Sequence, residues 1–236
     1  KSTVERMLST LVNLLELVAL EPERQHDALE VATEAEIETI AGFNATRRDF
    51  EPLRSIKEQL EHVAASKADR TAVIFQGQQL SFAELNSRAN AIASAVMRER
   101  ATAPSRIAIY ADRSVELVAA VLATVKLGAT YIVLDPAFPP THRLAVLQDT
   151  QPDSLLKQRA LETPEGFDSQ VTEIEATTHA AQSSPSDPVI REPGKTLTVV
   201  YTSASTGKAK GVKIPEAAIV NRLQWMWQEY PFADTD

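Results

Sequence analysis

Short runs of β-branched and aromatic residues alternate with helix-type patterns, and this alternation limits the folds the chain can adopt. The runs are TAVIF (71–75), RIAIY (106–110), TYIVL (130–134) and LTVVY (197–201). The segments between them repeat apolar residues at helical spacing, as residues 82–96 do. Strands and helices in alternation predict βαβ units, and hence an α/β fold with a mostly parallel sheet and flanking helices.

Several helix starts are marked by capping boxes, in which a Ser or Thr precedes a Glu by three positions. The hydroxyl accepts a backbone N–H of the first turn, and the Glu carboxylate accepts the N–H of the capping residue. The pairs are Thr33 with Glu36, Ser55 with Glu58, and Ser81 with Glu84. Ser114 is predicted to cap a helix through about Lys126, and Pro139 or Pro140 suits the first turn of another.

The N-terminal part of the chain has a different organisation. Residues 1–20 carry a long apolar stripe at helical spacing, which must pack on another surface. The stripe consists of Val4, Met7, Leu8, Leu11, Leu14, Leu15 and Val18. A short helix is expected after Thr33, and the polar segment 42–52 is predicted to be a linker. This part is therefore expected to be a helical appendage to the α/β part.

Composition excludes several classes of function. The net charge is -8, from 32 acidic against 24 basic residues, so a nucleic-acid partner is not expected. The chain has no cysteine, and its 4 histidines are scattered, so we predict no disulfide and no metal site. No apolar run reaches the roughly 18 residues of a membrane span. The N-terminus lacks the features of a signal peptide, so a cytoplasmic location without membrane contact is the expectation.

The segment YTSASTGKAKG, residues 201–211, has the strongest chemical signal. It follows the strand 197–201 and precedes a short strand at 212–214. Glycines let backbone N–H groups approach phosphate oxygens, hydroxyls donate further hydrogen bonds, and lysines supply charge. It is not a Walker A loop, because Gly207 has no glycine five residues before it and a strand follows. A phosphate loop and a solvated hairpin turn both fit these residues.

Taken together, several segments resemble AMP-forming adenylate ligases, and among them the adenylation domains of nonribosomal peptide synthetases. YTSASTGKAKG is similar to the family's phosphate loop, Thr/Ser-Ser-Gly-Ser/Thr-Thr-Gly-x-Pro-Lys-Gly. Residues 80–93, 112–150 and 217–232 resemble further motifs of the family, in the same order. The resemblance implies that residues 49–236 are the N-terminal part of the large subdomain of such a ligase, and incomplete. Residues 1–48 resemble the end of a condensation domain and its linker.

The resemblance also implies a site and a reaction. The ATP phosphate loop would comprise Thr202, Ser203, Ala204, Ser205, Thr206, Gly207, Lys208 and Lys210. With ATP and Mg²⁺, an amino acid would become an aminoacyl-AMP, for loading onto a carrier-protein phosphopantetheine thiol outside this chain. The family's catalytic residues are expected beyond the equivalent of Asp236, so they are unknown here. This polypeptide alone is therefore expected to be inactive.

The expected partners follow from the same resemblance. They are the amino-acid substrate, the condensation and carrier domains of the same synthetase, and a small MbtH-like protein. Two other functions remain open at this point: an acyl-CoA ligase of the same superfamily, and a noncatalytic adenylation-like interaction module. ATP binding separates the last of these from the others.

Two departures from the family loop generate a first prediction. Ala204 stands where the family has glycine, and Ala209 where it most often has proline. A positive φ at position 204 would strain alanine by roughly 1 kcal/mol or more, and its β-carbon would crowd a phosphate oxygen. Ala204→Gly is therefore expected to tighten ATP binding, measured as a dissociation constant, while Ala209→Pro changes it less. Equal affinity of Ala204→Gly and the natural sequence would contradict this.

Overall fold

A computed structural model describes residues 2–25, 29, 31–50, 55–98, 100–175, 195–202 and 210–231. The chain divides into two compact units, Lys1–Glu51 and Pro52–Asp236. The assignment of residues 1–48 to a condensation-domain tail, and of 49–236 to a ligase, stays a prediction. Among the helices described, none is both long enough and apolar enough to cross a bilayer.

The first unit contains two helices, α1 (Ser2–Leu20) and α2 (Glu34–Asn44). The capping box before α2 is confirmed, since Thr33 and Glu36 make both of its hydrogen bonds. Asn13 of α1 donates to the Val31 carbonyl over 3.0 Å. The prediction of a linker at residues 42–52 is wrong for its first three residues, because α2 continues through residues 42–44. The predicted stripe of α1 is largely exposed, since only Leu14 is half-buried. Its exposed residues are Val4, Met7, Leu8, Leu11, Leu15 and Val18.

The second unit opens with α3 (Ile56–Ser66), a hairpin of β1 (Thr71–Phe75) and β2 (Gln78–Ser81), and α4 (Phe82–Met97). Both predicted capping boxes are present, at Ser55 and at Ser81. The hairpin turn has positive φ at Gln76, 47°, and at Gly77, 81°. Two left-handed residues are typical of the tight turns that match the twist of antiparallel strands.

A six-stranded sheet forms the centre of this unit, in the order β6-β5-β3-β4-β7-β8. All neighbouring pairs are parallel except β7 with β8, which confirms the predicted, mostly parallel sheet. The strands are β3 (Arg106–Tyr110), β4 (Thr130–Leu134), β5 (Ser154–Lys157), β6 (Gln170–Glu173), β7 (Thr196–Thr202) and β8 (Lys210–Pro215). The helices are α5 (Val115–Lys126), α6 (Pro140–Thr150) and α7 (Glu216–Glu229).

Alternate residues of β3 supply two separate cores, one on each face of the sheet. Ile107 and Ile109 pack with buried residues of α4 and α5. Ala108 and Tyr110 pack on the opposite face with Val146 and other residues of α6. Because helices cover both faces, residues 107–110 of β3 are all buried, as expected for the centre of a parallel sheet.

Two strands of the sheet, β5 and β6, were not predicted from the sequence. Each has four residues, too few to show a period. β5 is buried along its length although it contains Ser154 and Lys157. β6 reads QVTE and lies at the sheet edge, where one side of the strand needs no strand partner. β5 pairs with β3 and β6 pairs with β5, and these pairings between separate segments identify both as strands.

A buried ion pair joins α3 to α5. Lys126 is 2% exposed, and its Nζ lies 3.2 Å from Oε1 of Glu61. Burial lowers the pKa of Lys126 below its ordinary value, and the nearby Glu61 carboxylate partly opposes that effect. The ammonium is thus held inside the fold by a carboxylate that itself remains partly exposed.

Removing the Glu61 carboxylate is expected to lower the free energy of unfolding more than replacing the buried charge of Lys126 with an apolar side chain. Glu61→Ala leaves the ammonium unpaired and should lower the free energy of unfolding by about 3 kcal/mol. Lys126→Met keeps the volume without the charge and should change it much less. Chemical denaturation of both variants measures the difference.

The pH dependence provides an independent check. Without Glu61 the pKa of Lys126 falls further, so between this lowered pKa and the ordinary lysine pKa the unfolded chain binds more protons than the folded chain. Stability then rises with pH, and the Glu61→Ala deficit should shrink as pH rises toward the ordinary lysine value. A deficit independent of pH would mean that packing, not charge, is lost.

Candidate functional site

Strands β7 and β8 hold the two ends of the predicted phosphate loop. They pair antiparallel, with Tyr201 opposite Gly211 and Thr202 opposite Lys210. Of the predicted loop residues, the structure thus places Thr202 and Lys210 across from each other, both exposed. The others, Ser203, Ala204, Ser205, Thr206, Gly207 and Lys208, lie outside the described residues. Their contact with nucleotide stays a prediction.

The loop leaves the sheet at the edge where ligands bind in many α/β proteins. Strands β3, β4, β5, β6 and β7 run parallel, so their carboxyl ends share one edge, and Thr202 is the last residue of β7. In open α/β sheets, ligands bind outside the carboxyl ends of the strands. Asp135 follows β4 at the same edge and accepts the N–H of Ala137 over 2.8 Å. A side-chain oxygen that accepts the N–H two residues ahead is typical of a turn, here directly after β4.

Strands β4 and β7 are joined only near their amino ends. The register between them is limited to Tyr131 opposite Thr198. Two threonine hydroxyls reinforce the join: Thr130 donates to the Thr196 carbonyl over 2.7 Å, and Thr198 donates to the Tyr131 carbonyl over 2.9 Å. Beyond Thr198, the carboxyl-terminal half of β7 has β8 as its registered neighbour in the described residues.

A cavity of about 250 Å³ lies where β4 and β7 are no longer paired. It is lined mainly by apolar side chains of β4, β7 and α6, among them Val133, Val146 and Val199. Arg143 also lines it, and its Nη1 donates to the Pro136 carbonyl over 2.9 Å. The Arg143 guanidinium lies 5.3 Å from the centre of the Tyr110 ring. This arginine is therefore engaged in holding the turn after β4.

Tyr201, the residue before the loop, makes the polar contact between the hairpin and α6. Its hydroxyl donates a hydrogen bond to Oδ2 of Asp149. Burial, and then this hydrogen bond, raise the pKa of Tyr201 above its ordinary value. The phenol therefore stays protonated at neutral pH and acts as a donor. The sequence places Tyr201 at the end of a predicted strand and at the start of the segment 201–211, but no local pattern points to Asp149.

No group of three or more His, Asp or Glu side chains among the described residues could hold a metal ion. A magnesium ion that is held mainly by phosphate oxygens needs only one or two protein carboxylates. The Mg²⁺ expected from the family resemblance therefore stays a prediction.

The fold and the loop position identify a class of protein. The family of AMP-binding enzymes matches residues 60–236. The chain therefore belongs to the AMP-binding enzyme family, which confirms the resemblance inferred from its motifs.

Two curated relatives indicate the kind of protein in which such a segment occurs. The chain is 32% identical to tyrocidine synthase 2 of Brevibacillus parabrevis over 223 residues, 94% of this chain and 6% of that protein. It is 33% identical to bacitracin synthase 3 of Bacillus licheniformis over 227 residues, 94% of this chain and 4% of that protein. The chain thus spans a small fraction of each relative.

A solved structure confirms the fold class. The o-succinylbenzoate coenzyme A synthetase (MenE) of Bacillus subtilis, solved in complex with AMP, matches with a TM-score of 0.67 at 23% identity. The match covers 78% of this chain and 48% of that chain. The predicted α/β fold, a mostly parallel sheet with flanking helices, is therefore confirmed.

Proposed function

We propose that residues 49–236 are the N-terminal part of an adenylation domain in a nonribosomal peptide synthetase. The domain would activate an amino acid with ATP as an aminoacyl-AMP. The observation that carries the proposal is the hairpin that presents Thr202 and Lys210 at the carboxyl edge of the sheet. The chain between them is rich in the hydroxyl, glycine and lysine residues that a polyphosphate requires.

The proposed reaction is the formation of an aminoacyl-AMP from ATP and an amino acid. A carboxylate oxygen of the amino acid attacks the α-phosphorus of ATP, the bond to the bridging oxygen breaks, and pyrophosphate leaves with its electron pair. The transferred group needs little covalent help from the protein, so positioning and charge neutralisation dominate. Thr202 would donate a hydroxyl hydrogen bond, and Lys210 would place a cation beside the leaving phosphates.

The same proposal defines partners. The activated amino acid would pass to the phosphopantetheine thiol of a carrier domain in the same synthetase. Residues 1–48 would be the end of a condensation domain and the linker that follows it. Similarity along 94% of this chain to two much longer synthases supports such a multidomain setting. A small MbtH-like protein is a further partner that we infer from the family.

Amino-acid-dependent exchange between ATP and labelled pyrophosphate tests the function in the synthetase that contains this chain. Lys210→Ala removes one charge-assisted hydrogen bond, with a net value of about 1.5–3 kcal/mol. The exchange rate at subsaturating ATP should therefore fall roughly 10- to 100-fold. Lys213→Ala is the matched control, since Lys213 is an exposed lysine of the same strand opposite Val199.

The outcomes separate the alternatives. Equal exchange rates for Lys210→Ala and Lys213→Ala would remove Lys210 from the phosphate site. Exchange supported by carboxylic acids that lack an amino group, followed by transfer to coenzyme A, would favour an acyl-CoA ligase. Absence of both ATP binding and exchange would favour a noncatalytic adenylation-like module, the alternative that Ala204 in the loop supports.

A further inference from the structure

The loop-bearing half of the β7–β8 hairpin has little backbone support from the rest of the sheet. Its registered link to β4 stops at Thr198, and the cavity of about 250 Å³ lies beyond that point. The strand pair β7–β8 continues to Thr202 opposite Lys210. The direction in which the hairpin holds these two residues then depends on side-chain contacts, and those on the α6 side of the sheet include Tyr201.

Tyr201 lines this cavity, and its partner in the register, Gly211, leaves room for its ring. A β-carbon added at Gly211 would lie 2.9 Å from Cζ of Tyr201 and 3.1 Å from its hydroxyl oxygen. It would also lie 3.1 Å from Cγ1 of Val199. The ring therefore crosses β8 in contact with the glycine, and any larger residue at 211 would push it away.

The far end of the ring reaches a rigid partner. The Tyr201 hydroxyl donates to Asp149 in the last turn of α6. Neighbouring residues of that turn are buried in the core, including Val146, Leu147 and Thr150. Asp149 is thus an exposed carboxylate on a helix that packs into the core through these buried residues. Its hydrogen bond with Tyr201 links the loop end of the hairpin to that helix.

We propose that Tyr201, held between Gly211 and Asp149, is a positioning residue for the nucleotide phosphates. Its contact with α6 sets the angle of the hairpin, and hence the place of Thr202 and Lys210, without Tyr201 itself touching the nucleotide. The ligand part of this inference rests on the proposed function; the mechanical part rests on the contacts alone. The hydroxyl, more than the ring, is expected to matter, because it supplies the directional link.

Tyr201→Phe tests the proposal in the intact synthetase, because it removes only the hydroxyl. The KM for ATP in pyrophosphate exchange should rise about three- to tenfold, as expected for one net hydrogen bond. The KM for the amino acid should not change. Amide hydrogen exchange without nucleotide should become faster in peptides that cover residues 199–202 and 210–214. Tyr230→Phe, at an exposed tyrosine, is the matched control and should change none of these.

Variants of the acceptor distinguish positioning from a general structural role. Asp149→Asn keeps a carbonyl oxygen as acceptor and should remain close to the natural protein, whereas Asp149→Ala should reproduce Tyr201→Phe. The double variant Tyr201→Phe with Asp149→Ala should be no worse than either single variant, since both remove the same bond. Gly211→Ala displaces the ring and should give the same selective rise in the KM for ATP.

The result that would overturn the proposal is a Tyr201→Phe synthetase with unchanged KM for ATP and unchanged hydrogen exchange in both peptides. A similar rise in the KM for ATP and in the KM for the amino acid, together with a lower melting temperature, would also overturn it, since these changes indicate general destabilisation. If the natural synthetase shows no amino-acid-dependent exchange, the proposed function fails instead. In that case faster hydrogen exchange in Tyr201→Phe still supports the link to α6, and unchanged hydrogen exchange overturns it.

Discussion

Burial of β3 on both of its faces is the constraint on which the rest of the second unit depends. Ile107, Ala108 and Ile109 are each 0% exposed. A strand that is apolar on both sides must be covered on both sides, which requires α4 and α5 on one face and α6 on the other. Helical crossovers of this kind bring the strands back in parallel, so their carboxyl ends share one edge.

The hairpin β7–β8 uses that edge in a different way. β7 enters the sheet in parallel with β4, but β8 turns back beside it, so the loop between them leaves from an antiparallel pair. The threonine hydroxyls of residues 130 and 198 hold the base of β7 to β4. The tyrosine before the loop holds the other end to α6. The two ends of the loop therefore belong to a short antiparallel hairpin that contacts the rest of the unit at two places, at β4 and at α6.

Polar contacts between elements have a distinct role in this unit. The pair of Lys126 and Glu61 joins α5 to α3, and the bond from Ile56 N–H to the Glu216 carboxylate, 2.8 Å long, joins α3 to α7. Such contacts contribute less free energy than apolar burial does, yet they have direction, which apolar contacts lack. In a chain proposed to place phosphates, direction is the property that matters.

Local patterns along the chain were enough to predict one group of features. Capping hydroxyls predicted the starts of α2, α3 and α4, and β-branched runs predicted β1, β3, β4 and β7. Motifs of the AMP-binding family identified the loop after Tyr201 as the candidate site. These signals work because a cap, a strand period or a loop composition involves residues within one turn or one strand.

The remaining features required the folded arrangement. The short and partly polar segments β5 and β6 become strands through pairing in the sheet that β3 centres. Tyr201 meets Asp149 although 52 positions separate them along the chain. The ammonium of Lys126 lies in the core beside Glu61 of another helix. Each of these features depends on contacts between distant segments. A local sequence pattern does not show which distant segment a residue will contact in the folded chain.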